Sequence, residues 1–174
     1  MKSDTYDWTR FELVFYYDQS VENVFLAWST ADGLESFFIE HASFTSLSGV
    51  RRDGRDIVES GDTYRWDWRH PNSLDGQITA VELNRHIEFT FGDMKVSLTF
   101  STVGEQTELH LLQSGIADTE QGRVSGHLNC RSCWIFFLTN LKSVLESERD
   151  LRVADPARVS SMEVGFVPLS RSDG

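Results

Sequence analysis

Two polar side chains stand in the first turns of a long predicted helix, where they could orient a bound molecule. At 100° per residue, one stripe of this helix contains His127, Trp134, Leu138, Leu141 and Leu145. Arg131 and Cys130 flank this stripe. A guanidinium group can pair with a carboxylate or polarise a carbonyl, and an apolar pocket with one polar end is typical of a small-molecule site. His127 and Arg131 are therefore our candidates for holding the polar end of a ligand.

The apolar wall of the expected pocket is drawn from the strands and from the long helix. Its candidates are Trp66, Trp68, Phe89, Phe100, Leu111, Trp134 and Leu138. Aromatic side chains suit this role because they offer a large contact area at a small entropic cost. A structural alternative stays open, in which the aromatic residues are ordinary core. In the same alternative, Arg131 and His127 pair with strand carboxylates or reach solvent at the mouth of the pocket.

Other reactive residue types lack the surroundings that their chemistry requires. Cys130 and Cys133 form a C-x-x-C, but they lie about three turns inside the predicted helix, where its dipole does not lower a thiol pKa. No second pair of zinc ligands follows, and the five histidines show neither H-x-x-x-H nor H-E-x-x-H spacing. Hydrolase-elbow, P-loop and dinucleotide fingerprints are also absent. We predict no metal, no cofactor and no catalytic residue.

Composition and charge argue against several classes of protein. The chain has 174 residues, is 40% hydrophobic and carries a formal net charge of −11. A field of that sign repels nucleic-acid phosphates and anionic lipid heads. No apolar run approaches the roughly 18 to 20 residues that span a bilayer, and no secretory signal begins the chain. With only two cysteines, a reduced cytoplasmic protein is the simplest expectation.

The elements that must position these residues follow from a change in hydrophobic period near residue 117. Before it, alternating apolar residues predict six or seven strands, joined by turns short enough for antiparallel order. Two short helices follow the first strand, starting from the capping residues Ser20 and Thr30. From about Asp118 to Glu148 the pattern is that of a single helix. We predict an α+β fold in which the sheet wraps the long C-terminal helix.

The folded domain is expected to span residues 8–150, followed by a C-terminal tail at 151–174. A small apolar cluster remains in this tail at Val164, Phe166 and Val167. On the long helix, Phe136 lies on the side opposite to the apolar stripe. Because an exposed phenylalanine needs cover, we predict that the tail or a second subunit packs over Phe136.

Several segments along the chain carry a family resemblance. They are Ser20–Thr30, Gly33–Phe38, Gly61–Tyr64, Arg85–Phe91, Thr107–Leu111 with Ser114–Gly115, and Trp134–Glu146. In this order they resemble the SRPBCC superfamily, which includes the START and birch-pollen-allergen-like domains. More closely, the chain is similar to the branch named after the C-terminal domain of the activator of the heat-shock-protein-90 ATPase.

The resemblance implies a helix-grip fold, in which a curved antiparallel sheet surrounds the long helix and a cavity lies between them. The name of the branch also implies a chaperone partner and a role in the stress response. Three departures are visible: members often carry a tryptophan where this chain has Phe37-Phe38, they often carry another near Phe91, and residues 151–174 have no counterpart. A shared fold does not by itself transmit a function.

Three functional hypotheses remain open at this point. The leading one is a soluble, non-enzymatic binding protein for a small hydrophobic molecule held between the sheet and the long helix. The second is an enzyme of the superfamily's cyclase, aromatase or hydrolase kinds, for which only His127 or an inward carboxylate could do acid–base work. The third is a protein-interaction module, acting on a chaperone or as a homodimer through Phe136 and the tail.

Overall fold

Seven antiparallel strands form a single sheet in the computed structural model of the chain. The structure describes residues 5–69, 72–155, 157–158 and 160–164, but not the side chains of Met162 and Val164. The strands are β1 (Phe11–Tyr17), β2 (His41–Thr45), β3 (Thr63–Asp67), β4 (Ser73–Glu82), β5 (His86–Phe91), β6 (Met94–Val103) and β7 (Gln106–Ser114). Their order across the sheet is β1-β7-β6-β5-β4-β3-β2. The α+β prediction, with a sheet of antiparallel strands and a long C-terminal helix, is confirmed.

Two short helices follow β1, as the capping residues predicted. They are α1 (Val21–Ser29) and α2 (Ala31–Phe37). The Ser20 hydroxyl accepts a hydrogen bond from the Asn23 amide at 3.3 Å, and the Thr30 hydroxyl accepts one from the Gly33 amide at 3.1 Å. Each cap pairs an amide that the first turn of the helix would leave unbonded, which fixes where the helix begins.

The long helix is not α-helical throughout. A π-helical segment, Gly122–Asn129, precedes the regular helix α3 (Cys130–Ser147). In a π-helix each amide bonds the carbonyl five residues back, which widens the turn. The rotation of 100° per residue assumed from the sequence therefore holds only from Cys130 onward, and the direction of residues before it cannot be taken from a helical wheel.

One end of the molecule is densely filled, and we call it the packed end: residues 21–25 of α1, β1, β6, residues 106–111 of β7 and residues 138–147 of α3. Phe25 of α1 meets Phe100 of β6 with ring centroids 5.4 Å apart. The Tyr17 hydroxyl donates to the carbonyl of Leu138 at 3.1 Å, which ties β1 to α3. Many of its side chains are fully buried: Tyr17, Val24, Phe25, Leu98, Leu109, Leu111, Leu138 and Leu141.

A short helix, α4 (Ser161–Val164), follows α3 and packs against it. The Cys133 thiol of α3 lies 3.9 Å from the carbonyl oxygen of Glu163. Within the described residues, no helix is both long enough and apolar enough to cross a membrane.

Candidate functional site

A cavity of about 230 Å³ lies between the first turns of α3 and the ends of β3 and β5. Five aromatic side chains form most of its apolar wall: Phe38, Trp68, Phe91, Trp134 and Phe137. We call this part of the molecule the cavity end. Pockets for drug-sized ligands have volumes of about 300 to 1,000 Å³. This smaller cavity suits a molecule of about one or two rings.

Phe38, which directly follows α2, is the centre of the aromatic wall. Its ring lies edge-on to Trp68 and to Phe137, with centroid distances of 5.4 and 4.9 Å. Trp134 lies 5.0 Å from the same ring. Edge-to-face contacts of this kind are favourable, and they hold the rings of the wall in place.

A buried glutamine fixes Trp134 in this wall. The indole nitrogen of Trp134 donates to Oε1 of Gln113 at 2.7 Å. Gln113 is fully buried on β7, and its Nε2 donates to the carbonyl of Gly126 at 3.0 Å. One side chain of the sheet thereby holds both the π-helical segment and the start of α3, and this determines which side of the helix faces the cavity.

Arg69 brings an unpaired hydrogen-bond donor to the cavity end. Its Nε donates to Oε2 of Glu40 at 3.1 Å, whereas its Nη1 is buried without an acceptor among the described residues. The indole nitrogens of Trp28 and Trp66 are also buried without an acceptor among the described residues. Both of those rings contact Phe38. Buried donors are normally paired, and of these three residues only Arg69 lines the cavity, so its Nη1 is the donor that an acceptor in the cavity could reach.

Arg152 also lines the cavity, but its donors are already used. Nη1 donates to the carbonyl of Ile39 at 2.9 Å and Nη2 to that of Glu35 at 2.8 Å. The same guanidinium pairs with Asp150 at 2.8 Å. Burial raises the pKa of the Asp150 carboxyl, but hydrogen bonds from Arg152 and Asn140 outweigh it, so this pKa lies below its usual value. Arg152 therefore acts as a clamp between α2 and the tail.

Two thiols stand in the wall, and burial favours the protonated form of both near neutral pH. Burial raises the pKa of Cys133 to about 11, with a further contribution from Cys130. Burial also raises the pKa of Cys130. Because the thiolate is the nucleophile and the metal ligand, protonated thiols offer neither chemistry. Among the described residues, no group of three or more His, Cys, Asp or Glu side chains could hold a metal ion.

The predicted apolar residues divide between the cavity and the core. Trp68 and Trp134 line the cavity. Trp66 lies behind Phe38, where it stacks on Tyr64 at 3.9 Å and is only 1% exposed. The other predicted wall residues are buried in the core and are not lining residues of this cavity: Phe89, Phe100, Leu111 and Leu138.

The predicted polar pair lies apart from the cavity, for two different reasons. His127 is buried, and its Nδ1 lies 3.1 Å from the carbonyl of Trp8 while its Nε2 lies 2.7 Å from the Tyr6 hydroxyl. A carbonyl only accepts, so Nδ1 donates to Trp8 and both ring nitrogens are used by the N-terminal residues. Arg131 is exposed on the flank of α3 away from Cys130, whereas Cys130 lines the cavity.

Arg69 lines the cavity, although the alternating pattern around β3 predicts the opposite position for it. Along that strand Arg65, Asp67 and Arg69 alternate with the tryptophans and so fall on the opposite face. The strand ends at Asp67, however, so Arg69 is free of the alternation and lies at the cavity. The apolar pattern of α2 predicts that Phe38 faces inward, but it does not predict that Phe38 lines a cavity. No feature of the neighbouring sequence predicts that Arg152 and Glu163, which follow the long helix, line the same cavity.

Phe136 is half-buried rather than exposed, and its ring meets Phe137 with centroids 5.1 Å apart. The exposed apolar residues on this helix are Val124, Leu128 and Ile135. Cover of Phe136 by the tail cluster stays a prediction, since Phe166, Val167 and the side chain of Val164 lie outside the described residues.

A family model for "Activator of Hsp90 ATPase homolog 1-like protein" matches residues 18–146. No curated protein matches the sequence closely enough to count as a relative. Among solved structures, SSP2350 from Staphylococcus saprophyticus is 21% identical with a TM-score of 0.64, covering 83% of this chain and 98% of that one. The Aha1 dimer from Colwellia psychrerythraea is 20% identical with a TM-score of 0.65, covering 80% and 98%.

A third similar structure is DynU16, described as a putative protein in the dynemicin biosynthetic locus. It is 16% identical with a TM-score of 0.65, and the match covers 83% of this chain and 50% of that one. Identities this low establish the shared fold and nothing about ligands.

Proposed function

This chain belongs to the family of Activator of Hsp90 ATPase homolog 1-like proteins, and from that premise we propose that it binds a small, largely apolar molecule in the cavity of its helix-grip fold. Aromatic rings contact the body of the ligand, and Nη1 of Arg69 donates a hydrogen bond to its polar end. The observation that carries this proposal is a buried, unpaired guanidinium nitrogen beside an aromatic wall.

The unpaired nitrogen of Arg69 and the aromatic wall both affect the free energy of ligand binding. Leaving a buried donor unpaired costs about 1 to 3 kcal/mol, and an acceptor on a ligand recovers that free energy. Covering the aromatic wall adds roughly 25 cal/mol for each Å² of apolar surface removed from water. Water can enter the open cavity in the absence of a ligand, so the contribution that distinguishes a ligand from water is the cover of the aromatic wall.

Binding without catalysis is the simpler form of the proposal. The two thiols in the wall are protonated, and Arg152 is held by backbone carbonyls and Asp150. His127, the acid–base candidate from the sequence, is bonded to Tyr6 and Trp8. The enzymatic alternative would need a group free to move a proton at the cavity, and Glu40 and Glu163 are the carboxylates that remain for it.

Two ligands of nearly equal shape test the role of Arg69: acetophenone, which carries a carbonyl acceptor, and ethylbenzene, which does not. We expect both to shift the indole resonances of Trp68 and Trp134 in an NMR titration. Acetophenone should bind about tenfold more tightly, the factor that corresponds to one hydrogen bond of about 1.4 kcal/mol.

Arg69→Met should abolish this preference and leave the affinity for ethylbenzene unchanged. Arg65→Met is the matched control, because Arg65 is exposed on β3 and pairs with Asp75 at 3.0 Å. If neither ligand shifts the two indole resonances, the proposal is wrong.

A second candidate function, homodimerisation, is favoured by the exposed apolar residues of the long helix. Leu128 of the π-helical segment and Ile135 of α3 are 41% and 37% exposed, on either side of the exposed Arg131 in the sequence. The C. psychrerythraea neighbour is described as a dimer. We propose that a second copy of this chain covers this face, in place of the predicted contact through Phe136; a chaperone partner stays a prediction.

Light scattering after size-exclusion chromatography tests the dimer. The wild-type chain should elute as a dimer and the Leu128→Glu, Ile135→Glu double variant as a monomer. Val14→Glu, on the outer face of the sheet at similar exposure, should leave the dimer intact. A monomeric wild-type protein at high concentration would rule this candidate out.

A further inference from the structure

The segment after α3 forms part of the cavity wall, although the family match ends at residue 146. Arg152 and Glu163 both line the cavity. The cavity wall thus contains two charged residues that lie outside residues 18–146, the part that the family model matches. The family model therefore does not specify the charges that these two residues bring to the cavity. The inference below rests on the proposed function and concerns which ligands that site accepts.

A buried asparagine anchors the start of this segment to the domain. Asn140 is fully buried on α3, and its Nδ2 donates to the carbonyl of Phe37 at 2.8 Å and to Oδ1 of Asp150 at 3.0 Å. Its Oδ1 accepts from the amide of Leu151 at 2.7 Å. Together with the Arg152 clamp, these bonds fix residues 150–152 against α2 and α3, so the charge of Arg152 has a defined place relative to a ligand.

Glu163 stands where this segment returns to α3. Its Oε2 accepts from the amide of Val153 at 3.2 Å, and its carbonyl accepts from the Cys133 thiol at 3.9 Å. Within the described part of the chain, no ion pair involves Glu163. The two arginines of the wall are each matched by a carboxylate, Arg69 by Glu40 and Arg152 by Asp150.

Among the described lining residues, these pairings leave Glu163 as the charged residue without an ion-pair partner, and its carboxylate is held by the Val153 amide alone. An anionic ligand would approach this carboxylate in a chain whose formal net charge is already −11. Repulsion between like charges is strong where water is partly excluded. We infer that Glu163 is a specificity-determining residue, which makes the cavity select uncharged aromatic ligands with an acceptor oxygen over the corresponding carboxylates.

Benzamide and benzoate, which have nearly the same shape, test this selection. In an NMR titration of Trp68 and Trp134 near neutral pH and at low salt, benzamide should bind about tenfold more tightly than benzoate, as expected for a moderate charge repulsion. Glu163→Gln should raise the affinity for benzoate by roughly the same factor and change that for benzamide less than about twofold. The carboxamide oxygen that this substitution introduces can still accept from the Val153 amide, so the fold is preserved.

Asp155→Asn is the matched control, because it removes an exposed carboxylate of the same segment that pairs with Arg158 at 3.1 Å. It should leave both affinities unchanged. The inference is wrong if the wild-type protein binds benzoate as tightly as benzamide, or if Asp155→Asn raises benzoate affinity as much as Glu163→Gln. It is also wrong if acetophenone binds and benzamide does not, in which case the proposed function stands. If none of the three compounds binds, both fail.

Discussion

The two ends of this helix-grip fold are built from different side chains, and only one end is filled. At the packed end, leucines and valines of α1, β6, β7 and α3 interdigitate, and residues such as Leu109 and Leu141 are fully buried. At the cavity end, the same helix α3 meets large rings at steep angles, with Phe38 at the centre. One continuous core therefore contains both a tightly packed part and a space of about 230 Å³.

The difference shows that the space is bounded by flat aromatic rings together with polar side chains such as Arg69, Arg152 and Glu163. Leucine and valine fill gaps because their branched side chains are compact, whereas indole and phenyl rings are flat and rigid. In the proposed function the polar groups of the cavity end have a separate role, since the unpaired Nη1 of Arg69 would select ligands that carry an acceptor. That proposal assigns stability and binding to opposite ends of one helix.

Truncating one aromatic residue at each end gives the largest expected contrast. Phe100→Ala at the packed end should lower the free energy of unfolding by about 3 to 5 kcal/mol, because it opens a new cavity in a filled core. Trp68→Ala at the cavity end should lower it by only about 1 kcal/mol, because Trp68 is half-buried beside existing space. Urea denaturation measures both, and equal losses would contradict the distinction between the ends.

Removing the Asn140 anchor should have the next largest effect. Asn140→Ala leaves the carbonyl of Phe37 and the amide of Leu151 without their partner, at a cost of about 1 to 3 kcal/mol. Hydrogen exchange at residues 151–153 should then accelerate. Thr139→Ala, at the exposed neighbouring position, is the control and should leave that exchange unchanged. Unchanged exchange in the Asn140 variant would show that the segment is held by other contacts.

Enlarging a side chain at each end sharpens the comparison further. Leu109→Phe at the packed end should destabilise the protein by about 1 to 3 kcal/mol, because a filled core has no room for a larger ring. Cys133→Leu adds volume at the cavity wall and should change stability by less than about 0.5 kcal/mol. The same change should weaken acetophenone binding by occupying the cavity. If Cys133→Leu bound acetophenone more tightly, the ligand would not occupy this cavity.

The smallest expected effect is chemical and leaves stability unchanged. Burial holds the pKa of Cys133 at about 11, so its thiolate fraction, and with it the rate of alkylation by iodoacetamide, should keep rising through about pH 10. The alkylation rate of an ordinary exposed thiol, with a pKa of about 8.5, would level off well below about pH 10. Acetophenone should slow the reaction by covering the wall. A rate that levels off near about pH 9 would mean that Cys133 is open to solvent.

The fold was predictable because its signals are local. Alternation along the chain predicts the strands, and the hydroxyls of Ser20 and Thr30 mark the helices that they cap. The long helix was recognisable from its apolar stripe, but the π-helical turns of Gly122–Asn129 were not. They result from the fit of this segment against the sheet, where the carbonyl of Gly126 accepts a hydrogen bond from Gln113. No periodicity in the sequence reports such a fit.

The sequence by itself determined the strands, the capped helices and the apolar stripe of the long helix, because each depends on local signals with periods of two or 3.6 residues or on a capping side chain. It could not decide between the two flanks of that stripe, where Cys130 and Arg131 are equivalent on a helical wheel. The tertiary structure decided this through the bond from Trp134 to Gln113, which turns the Cys130 flank toward the cavity. Arg69 and Glu163 reach the site for the same reason: contacts between residues distant in sequence depend on packing, which no local pattern encodes.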